Sequence, residues 1–266
     1  MISTINKNCL VTSKPYLFSN VFRIKIPENL SKWSDKWDEY NPPDYTSVEA
    51  TYKSWSDDKE LNDTNYKWNE IDGKINRKSF MGHYQISTDN RPLNPIGRTG
   101  LRGRGILGRW GPNHAADPIV TRILDGKLQF VAIKRKDTGE WAIPGGMVDE
   151  GENVPTTLKR EFTEEALDNI PSNYVEELFN NGIHLYSGYV DDHRNTDNSW
   201  METSVYLFHD TKNLLSSVNF KAGSDARAVN WITYSESLSL YADHKKYLSL
   251  AYDKLKKVLQ STLINN

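Results

Sequence analysis

Residues 116–266 predict an α/β/α sandwich with a mixed sheet, and residues 1–115 predict a smaller aromatic-rich domain ahead of it. Two observations carry this fold class. After residue 115, short apolar runs of strand length alternate with segments of helical periodicity. Before it, residues 16–80 are rich in Trp, Tyr, Asp, Asn and Lys. Size agrees, because 266 residues with 37% hydrophobic content bury a sizeable core and fit one large domain or two small ones.

Along the chain, Trp33, Trp37, Tyr40, Tyr45, Tyr52, Trp55, Tyr66 and Trp68 supply the bulk expected to form an aromatic core. Asn-Pro-Pro-Asp at 41–44 and Asp72-Gly73 read as turns, and Asn-Arg-Pro-Leu-Asn-Pro at 90–95 as an irregular crossing segment. Beyond a boundary near 115, 119–123 and 128–135 predict a hairpin around Asp125 and Gly126, and 141–143 a short strand running into a glycine turn. A helix is expected just after Asn153, a capping residue, with Pro155 in the first turn, where its missing N–H costs least. Strands follow at 183–190, 203–209 and 229–234. Residues 245–262 close the chain as an amphipathic helix with Leu248, Tyr252, Leu255 and Leu259 on one face.

The helix after Asn153 carries the chemistry. Glu161, Glu164 and Glu165 fall at offsets that share one helical face, beside an apolar stripe of Leu158, Phe162 and Ala166. One side of such a helix is buried while its carboxylates face a cleft, and hard oxygen ligands suit Mg²⁺ or Mn²⁺ better than zinc. Gly145 and Gly146 form the turn before it, where the backbone approaches a ligand without a Cβ in the way and a carbonyl becomes a metal ligand. Glu152 and Arg160 are expected to pair. The plainer reading is a solvated acidic face with an Arg160–Glu164 ion pair; against it stands the ordered set of double glycine, Glu152, then Arg-Glu-Phe-Thr-Glu-Glu.

That set, Gly146, Glu152, Arg160, Glu161, Glu164 and Glu165, resembles the signature of the Nudix hydrolases, which cleave nucleoside diphosphates linked to another group. The chain departs from it at Leu167 and Asp168, where the usual pattern has a glycine and an aliphatic residue; the departure concerns the helix exit. Further segments at 97–105, 109–118, 130–137 and 188–198 are similar to the branch that includes two-domain ADP-ribose pyrophosphatases and the homologous domain of ADP-ribose-gated melastatin-type TRP channels. The resemblance implies the Nudix α/β/α sandwich more firmly than periodicity does. It implies an ADP-ribose diphosphatase that yields AMP and ribose 5-phosphate, with Glu161, Glu164, Glu165 and the Gly145 or Gly146 carbonyl around Mg²⁺ or Mn²⁺. Glu152 and Arg160 orient the helix in that reading, and the N-terminal domain covers the cleft and strengthens ligand binding. The alternative, from another class, is an ADP-ribose sensor within or excised from a channel, with hydrolysis slow or irrelevant; a third keeps the chemistry and changes the nucleoside diphosphate derivative.

Gly-Tyr-Val-Asp-Asp-His-Arg-Asn-Thr-Asp-Asn at 188–198 is dense in hydrogen-bonding groups. The bland reading is a surface loop; the resemblance favours Asp192 and Arg194 as ligand contacts, with Tyr241, Asp243 and His244 nearby. His114 reads as structural. The glycines at 103–108 fit a dinucleotide-binding pattern on paper, but no strand precedes them, and Trp-Gly-Pro at 110–112 prevents the helix that must follow. A structural loop is the preferred reading of this segment, with Arg98 and Arg102 approaching phosphates as the alternative.

A formal charge of −2 shows no global attraction to nucleic acid, and no apolar run is long enough to span a bilayer. Cys9 is the only cysteine, no signal peptide is recognisable and the first twenty residues hold no arginine. An intracellular protein of the cytosol or mitochondrial matrix is expected, with the sequons at Asn29 and Asn62 accidental.

Overall fold

A computed structural model of the chain describes residues 6–58, 61, 66–136, 138–166, 171–216, 218, 220 and 226–264; Leu167 and Asp168 lie outside the described residues. The chain divides into two compact units. The first comprises Met1–His114, Asp149–Gly151 and Gly188–Glu202, and the second Ala115–Val148, Glu152–Ser187 and Thr203–Asn266.

In the first unit, β1 (Asp44–Thr46) precedes the short α1 (Val48–Thr51), and β2 (Ile71–Asp72) and β3 (Ile75–Asn76) form a hairpin around Gly73. The short β4 (Arg102–Gly105) pairs in parallel with β1. The glycines at 97 and 100 are required here: a Cβ would lie 2.2 Å from the Ser31 carbonyl at the first and 2.2 Å from the Ile24 carbonyl at the second.

The expected aromatic core is not what fills this unit. Tyr52 and Trp55 are exposed, and Trp33, Trp37, Tyr40, Tyr45, Tyr66 and Trp68 are only half-buried. The large buried rings are instead Tyr16, Tyr84, Trp110, Tyr189 and Trp200, and they sit among buried Asn94, Thr99, Asn195, Thr196, Asp197 and Asn198. The half-buried rings have another task, walling in guanidinium groups. Arg98 lies 5.0 Å from the Trp33 ring and 5.1 Å from Tyr40, and Arg77 lies 4.2 Å from Tyr66. A polar interior holds only if its donors and acceptors are matched. Asp197 accepts from the Thr99 N–H (2.6 Å), the Thr99 hydroxyl (2.8 Å) and the Tyr40 hydroxyl (2.6 Å). Arg77 grips both oxygens of Asp57 at 2.8 Å.

The second unit is the expected sandwich. The main sheet uses β5 (Gly111–Leu124), β6 (Lys127–Arg135), β7 (Trp141–Ala142), β8 (Gly146–Met147), β9 (Ile183–Tyr189), β10 (Ser199–His209) and β11 (Ala226–Thr233), of which residues 111–114, 188–189 and 199–202 count with the first unit. Along it the order is β11-β6-β5-β10-β9, with β7 paired to β6 and β8 to β5. Asp125 (φ 50°) and Gly126 (φ 70°) make the two-residue turn between β5 and β6, whose positive φ at both positions matches the twist of a hairpin. Alternation along β6 sorts the core. Val131 and Ile133 face a cluster with Leu158 and Phe162 of α2 (Val154–Ala166) and Leu178 of α3 (Ser172–Phe179). Phe130 and Ala132 face the opposite cluster, with Tyr247, Leu248, Ala251 and Leu255 of α4 (His244–Ile264).

Three expectations need correcting. β5 starts at Gly111, not at 119, because Gly-Pro is accommodated at the start of a strand. β10 begins four residues ahead of the expected 203. On α4, Tyr252 is 38% exposed and stacks on Tyr234, so the buried face is turned toward Tyr247 and Ala251; the side chain of Leu259 lies outside the described residues. Among the described residues no helix is long and apolar enough to cross a membrane.

Glu202 offers a test of the polar interior. It is fully buried and accepts from the Ser79 hydroxyl, the Phe80 N–H (2.6 Å) and the Trp200 indole (2.7 Å), with His114 Nε2 at 3.7 Å. Burial pushes its carboxyl up, but His114 and these donors outweigh burial and hold it below the usual glutamate range. A depressed pKa stabilises the fold above the unfolded-state value, and that stability is lost as pH falls through the folded-state value. Glu202→Gln should cost about 1–3 kcal/mol at pH 7. Urea unfolding of the variant should then depend less on pH across the acid range than that of the wild type.

Candidate active site

The acidic helix is held against the glycine turn by backbone pairing and by one arginine. Asn153 caps α2 as expected, its side-chain oxygen accepting the Thr156 N–H at 3.0 Å. β8 pairs with β5 at Ala115↔Met147 and Ala116↔Gly146, which fixes the double glycine beside Asp117. Leu158 and Phe162, buried in the core, orient the helix so that Glu161 meets this turn. A Cβ at residue 146 would lie 2.3–2.4 Å from the Glu161 carboxylate, and one at 145 would lie 2.2 Å from Asp117 Oδ1. Glycine is needed at both places for the closeness of carboxylate and backbone.

Arg160 ties the parts together. Its Nε and Nη2 donate to Glu152 at 3.1 and 3.0 Å, and Nη2 donates to the Met147 carbonyl at 3.0 Å. Nη1 donates to Glu161 at 2.8 Å and Glu164 at 3.3 Å. Glu152 also accepts from the Thr157 hydroxyl at 2.7 Å, and Glu165 accepts the Gly145 N–H at 2.9 Å. Thus Gly145, Gly146, Glu152, Arg160, Glu161, Glu164 and Glu165 are brought together, as the sequence suggests. Asp117 is the carboxylate that sequence reasoning passed over. It is buried, accepts from the Thr203 hydroxyl at 2.6 Å and stands against Gly145. An acidic residue inside the run Ala-Ala-Asp-Pro-Ile-Val was the available signal.

The metal-ligating atoms that meet at this turn among the described residues are oxygens, and hard divalent cations take such donors. Among the described residues no three His, Cys, Asp or Glu side chains form a ready-made metal cage. Glu161 and Glu164 lie on Arg160, and Glu165 lies on the turn N–H. The donor chemistry fits the cation, and so does the cradle at Gly146 that a Cβ would fill.

The other expected site residues divide between the units. In the second unit, the Tyr241 N–H donates to the Trp141 carbonyl at 2.9 Å, and its ring lies 4.2 Å from the Arg135 guanidinium. His244 Nδ1 accepts the Ile143 N–H at 2.8 Å, so a neutral ring carries its proton on Nε2. The Asp243 carbonyl accepts the N–H groups of Lys246 and Tyr247 at the start of α4. The 241–244 segment therefore braces the strand that enters the glycine turn. In the first unit, Asp192 is 3% exposed and accepts from the Arg194 N–H and Nε at 2.8 Å and Nη2 at 2.7 Å. Burial pushes the Asp192 carboxyl up, but the charge and hydrogen bonds of Arg194 outweigh it and hold the carboxyl below the usual aspartate range.

The glycine-rich segment is structural where Arg98 is concerned. Arg98 is buried and donates to the carbonyls of Leu30 (2.8 Å), Lys32 and Asp35 (3.0 Å). Charge reversal there costs the fold before it touches a KM. Arg102 pairs with Asp89, and His114 is half-buried beside Glu202.

The family description "NUDT9-like, N-terminal domain" matches residues 26–111, and "NUDIX domain" matches residues 113–251. The chain is 53% identical over 254 residues to nudix hydrolase 6 of Caenorhabditis elegans, covering 94% of this chain and 97% of that one. It is 45% identical to the mitochondrial ADP-ribose pyrophosphatase of Rattus norvegicus, covering 94% of this chain and 79% of that one. Identity is 43% to a transient receptor potential channel, subfamily M member-like 2, of Nematostella vectensis, over 89% of this chain and 17% of the channel.

The glycine cradle is directly testable. Gly146→Ala should displace the Glu161 carboxylate and destabilise the protein by about 1–3 kcal/mol, the usual cost of forced overpacking. Calorimetric Mg²⁺ binding should weaken at the same time. Unchanged binding would show that Glu161 has no part in holding the ion.

Proposed function

Because the chain belongs to the Nudix family, with a NUDT9-like N-terminal region, we propose that it is an ADP-ribose diphosphatase converting ADP-ribose and water to AMP and ribose 5-phosphate. The observation that carries this reading is the complete acidic face of α2 seated on the Gly145–Gly146 turn. The 45% identity to a protein named ADP-ribose pyrophosphatase supports the substrate.

Nudix hydrolases generally use divalent metals. In this chain Glu161, Glu164, Glu165 and the Gly145 or Gly146 carbonyl would hold Mg²⁺ or Mn²⁺. Bound there, the ion supplies neutralisation of diphosphate charge and a lowered pKa for water. The protein's own part is orientation. Arg160, anchored on Glu152 and the Met147 carbonyl, sets the Glu161 and Glu164 carboxylates, and the Gly145 N–H sets Glu165. Asp192, Arg194, Tyr241, Asp243 and His244 are assigned to ADP-ribose contact, and the N-terminal domain expected over 1–115 to assisting its binding. Asp192 holds Nε and Nη2 of Arg194 and so fixes the direction of the guanidinium. A reducing intracellular compartment, cytosol or mitochondrial matrix, fits one cysteine in the chain and a relative named mitochondrial.

Incubation with ADP-ribose and Mg²⁺, followed by product separation, should give AMP and ribose 5-phosphate, faster than with dinucleotides or nucleotide sugars. Glu161→Gln should lower kcat by roughly 10²-fold or more with a small change in KM. Calorimetric binding of ADP-ribose without turnover by the wild type would replace the enzyme with a ligand-sensing domain, the role suggested by the likeness to a channel.

A further inference from the structure

A distant segment satisfies part of the backbone of the loop between β9 and β10. Four of its carbonyls, at 191, 193, 194 and 195, accept from side chains that lie between residues 8 and 23 and belong to the same unit. Asn8 Nδ2 donates to the Asp191 carbonyl at 2.9 Å, while the N–H groups of Lys7 and Asn8 bind the Asp191 carboxylate at 2.9 and 3.0 Å. The Tyr16 hydroxyl donates to the Arg194 carbonyl at 2.8 Å and accepts the Ile106 N–H at 3.0 Å, so it joins the loop to the glycine-rich segment. Arg23 Nη2 reaches the carbonyls of His193 (3.0 Å) and Asn195 (2.6 Å), and Nη1 reaches that of Thr99 at 3.3 Å.

A tight turn makes this reach possible. The Tyr16 N–H bonds to the Val21 carbonyl at 2.7 Å, and Phe18 adopts φ 53° at the tip while 88% exposed. A left-handed phenylalanine with no packing around it is sustained by the hydrogen bonds of its turn. Reversing the chain there brings the Arg23 guanidinium to 5.1 Å from the Tyr16 ring, and the two buried side chains address neighbouring carbonyls. Unpaired buried carbonyls are costly, so these contacts select one path for the loop. Arg194 and Asp192 lie on that path.

We propose that residues 8–23 form a strap that positions Arg194 for ligand contact, with Asn8, Tyr16 and Arg23 as positioning residues. The inference rests on the assignment of Arg194 to the ligand, and that assignment has a separate test. The ligand class is a nucleoside diphosphate derivative. The strap lies ahead of residue 26, where the N-terminal family match begins. A ligand role for it is therefore not contained in that match.

Tyr16→Phe removes the donor to Arg194 and the acceptor of the Ile106 N–H with little change of shape, and Arg23→Lys keeps the charge but loses the fork that bridges two carbonyls. Both should raise the KM for ADP-ribose about five- to tenfold while kcat and Mg²⁺ dependence stay at wild-type values. Amide hydrogen exchange at 192–196 should quicken in both variants, with α2 and α4 unaffected. A purely structural strap would lower the unfolding midpoint and leave the KM of the folded protein unchanged, and that result overturns the proposal. Unaltered exchange at 192–196 overturns it as well, whether or not ADP-ribose is the substrate. Arg194→Ala separates the two ideas. If it raises KM and the strap variants do not, the strap inference fails; if it leaves KM unchanged, the ligand assignment fails.

Discussion

One guanidinium organises the acidic site. Arg160 pairs with Glu152, Glu161 and Glu164, and it also holds the Met147 carbonyl of the glycine turn. The helix start, the turn and the acidic face are thereby locked to one another through a planar group whose donors point in fixed directions. A lysine would supply the charge without the geometry. The same constraint explains the double glycine, because α2 comes so close to β8 that the Glu161 carboxylate occupies the place of a side chain at 146.

The first unit uses arginine differently. Arg77 and Arg98 are withdrawn from water, stacked on half-buried rings and matched to carboxylates or carbonyls. Burial alone opposes a charged Arg77, but Asp57 and Asp72 outweigh it and hold its pKa above the ordinary arginine value. Removing one partner from such a pair leaves an uncompensated charge, which costs about 3–5 kcal/mol. Much of the unit's interior is therefore a hydrogen-bonded lattice around the 188–198 loop, where the wrong residue leaves a donor or acceptor unmet.

Those two kinds of order explain what was legible in the sequence. The hairpin at 125–126, the capped helix after Asn153 and the shared face of Glu161, Glu164 and Glu165 depend on neighbours within four residues, so spacing reveals them. α3 was not resolved from its surroundings, although Val175 and Leu178 sit at helical spacing. The role of the half-buried tryptophans and tyrosines was hidden because an aromatic ring reads the same whether it packs on aliphatic chains or on guanidinium. Asp117 was hidden because its partner, Thr203, is far along the chain. The strap was hidden for the same reason: Asn8, Tyr16 and Arg23 meet carbonyls at least 170 residues away, and a carbonyl leaves no trace in residue type.

The arrangement around Arg160 also bears on how the acidic face becomes available. Nε and Nη2 serve Glu152 and the Met147 carbonyl, while Nη1 serves Glu161 and Glu164. On the proposed metal site, Glu161 and Glu164 would turn from Nη1 toward the cation, while Nε and Nη2 stay on Glu152 and the Met147 carbonyl. In the proposed reaction Glu152 would act through geometry: without it, the arginine would follow the carboxylates it orients, and the separation between anchor and acidic face would be lost.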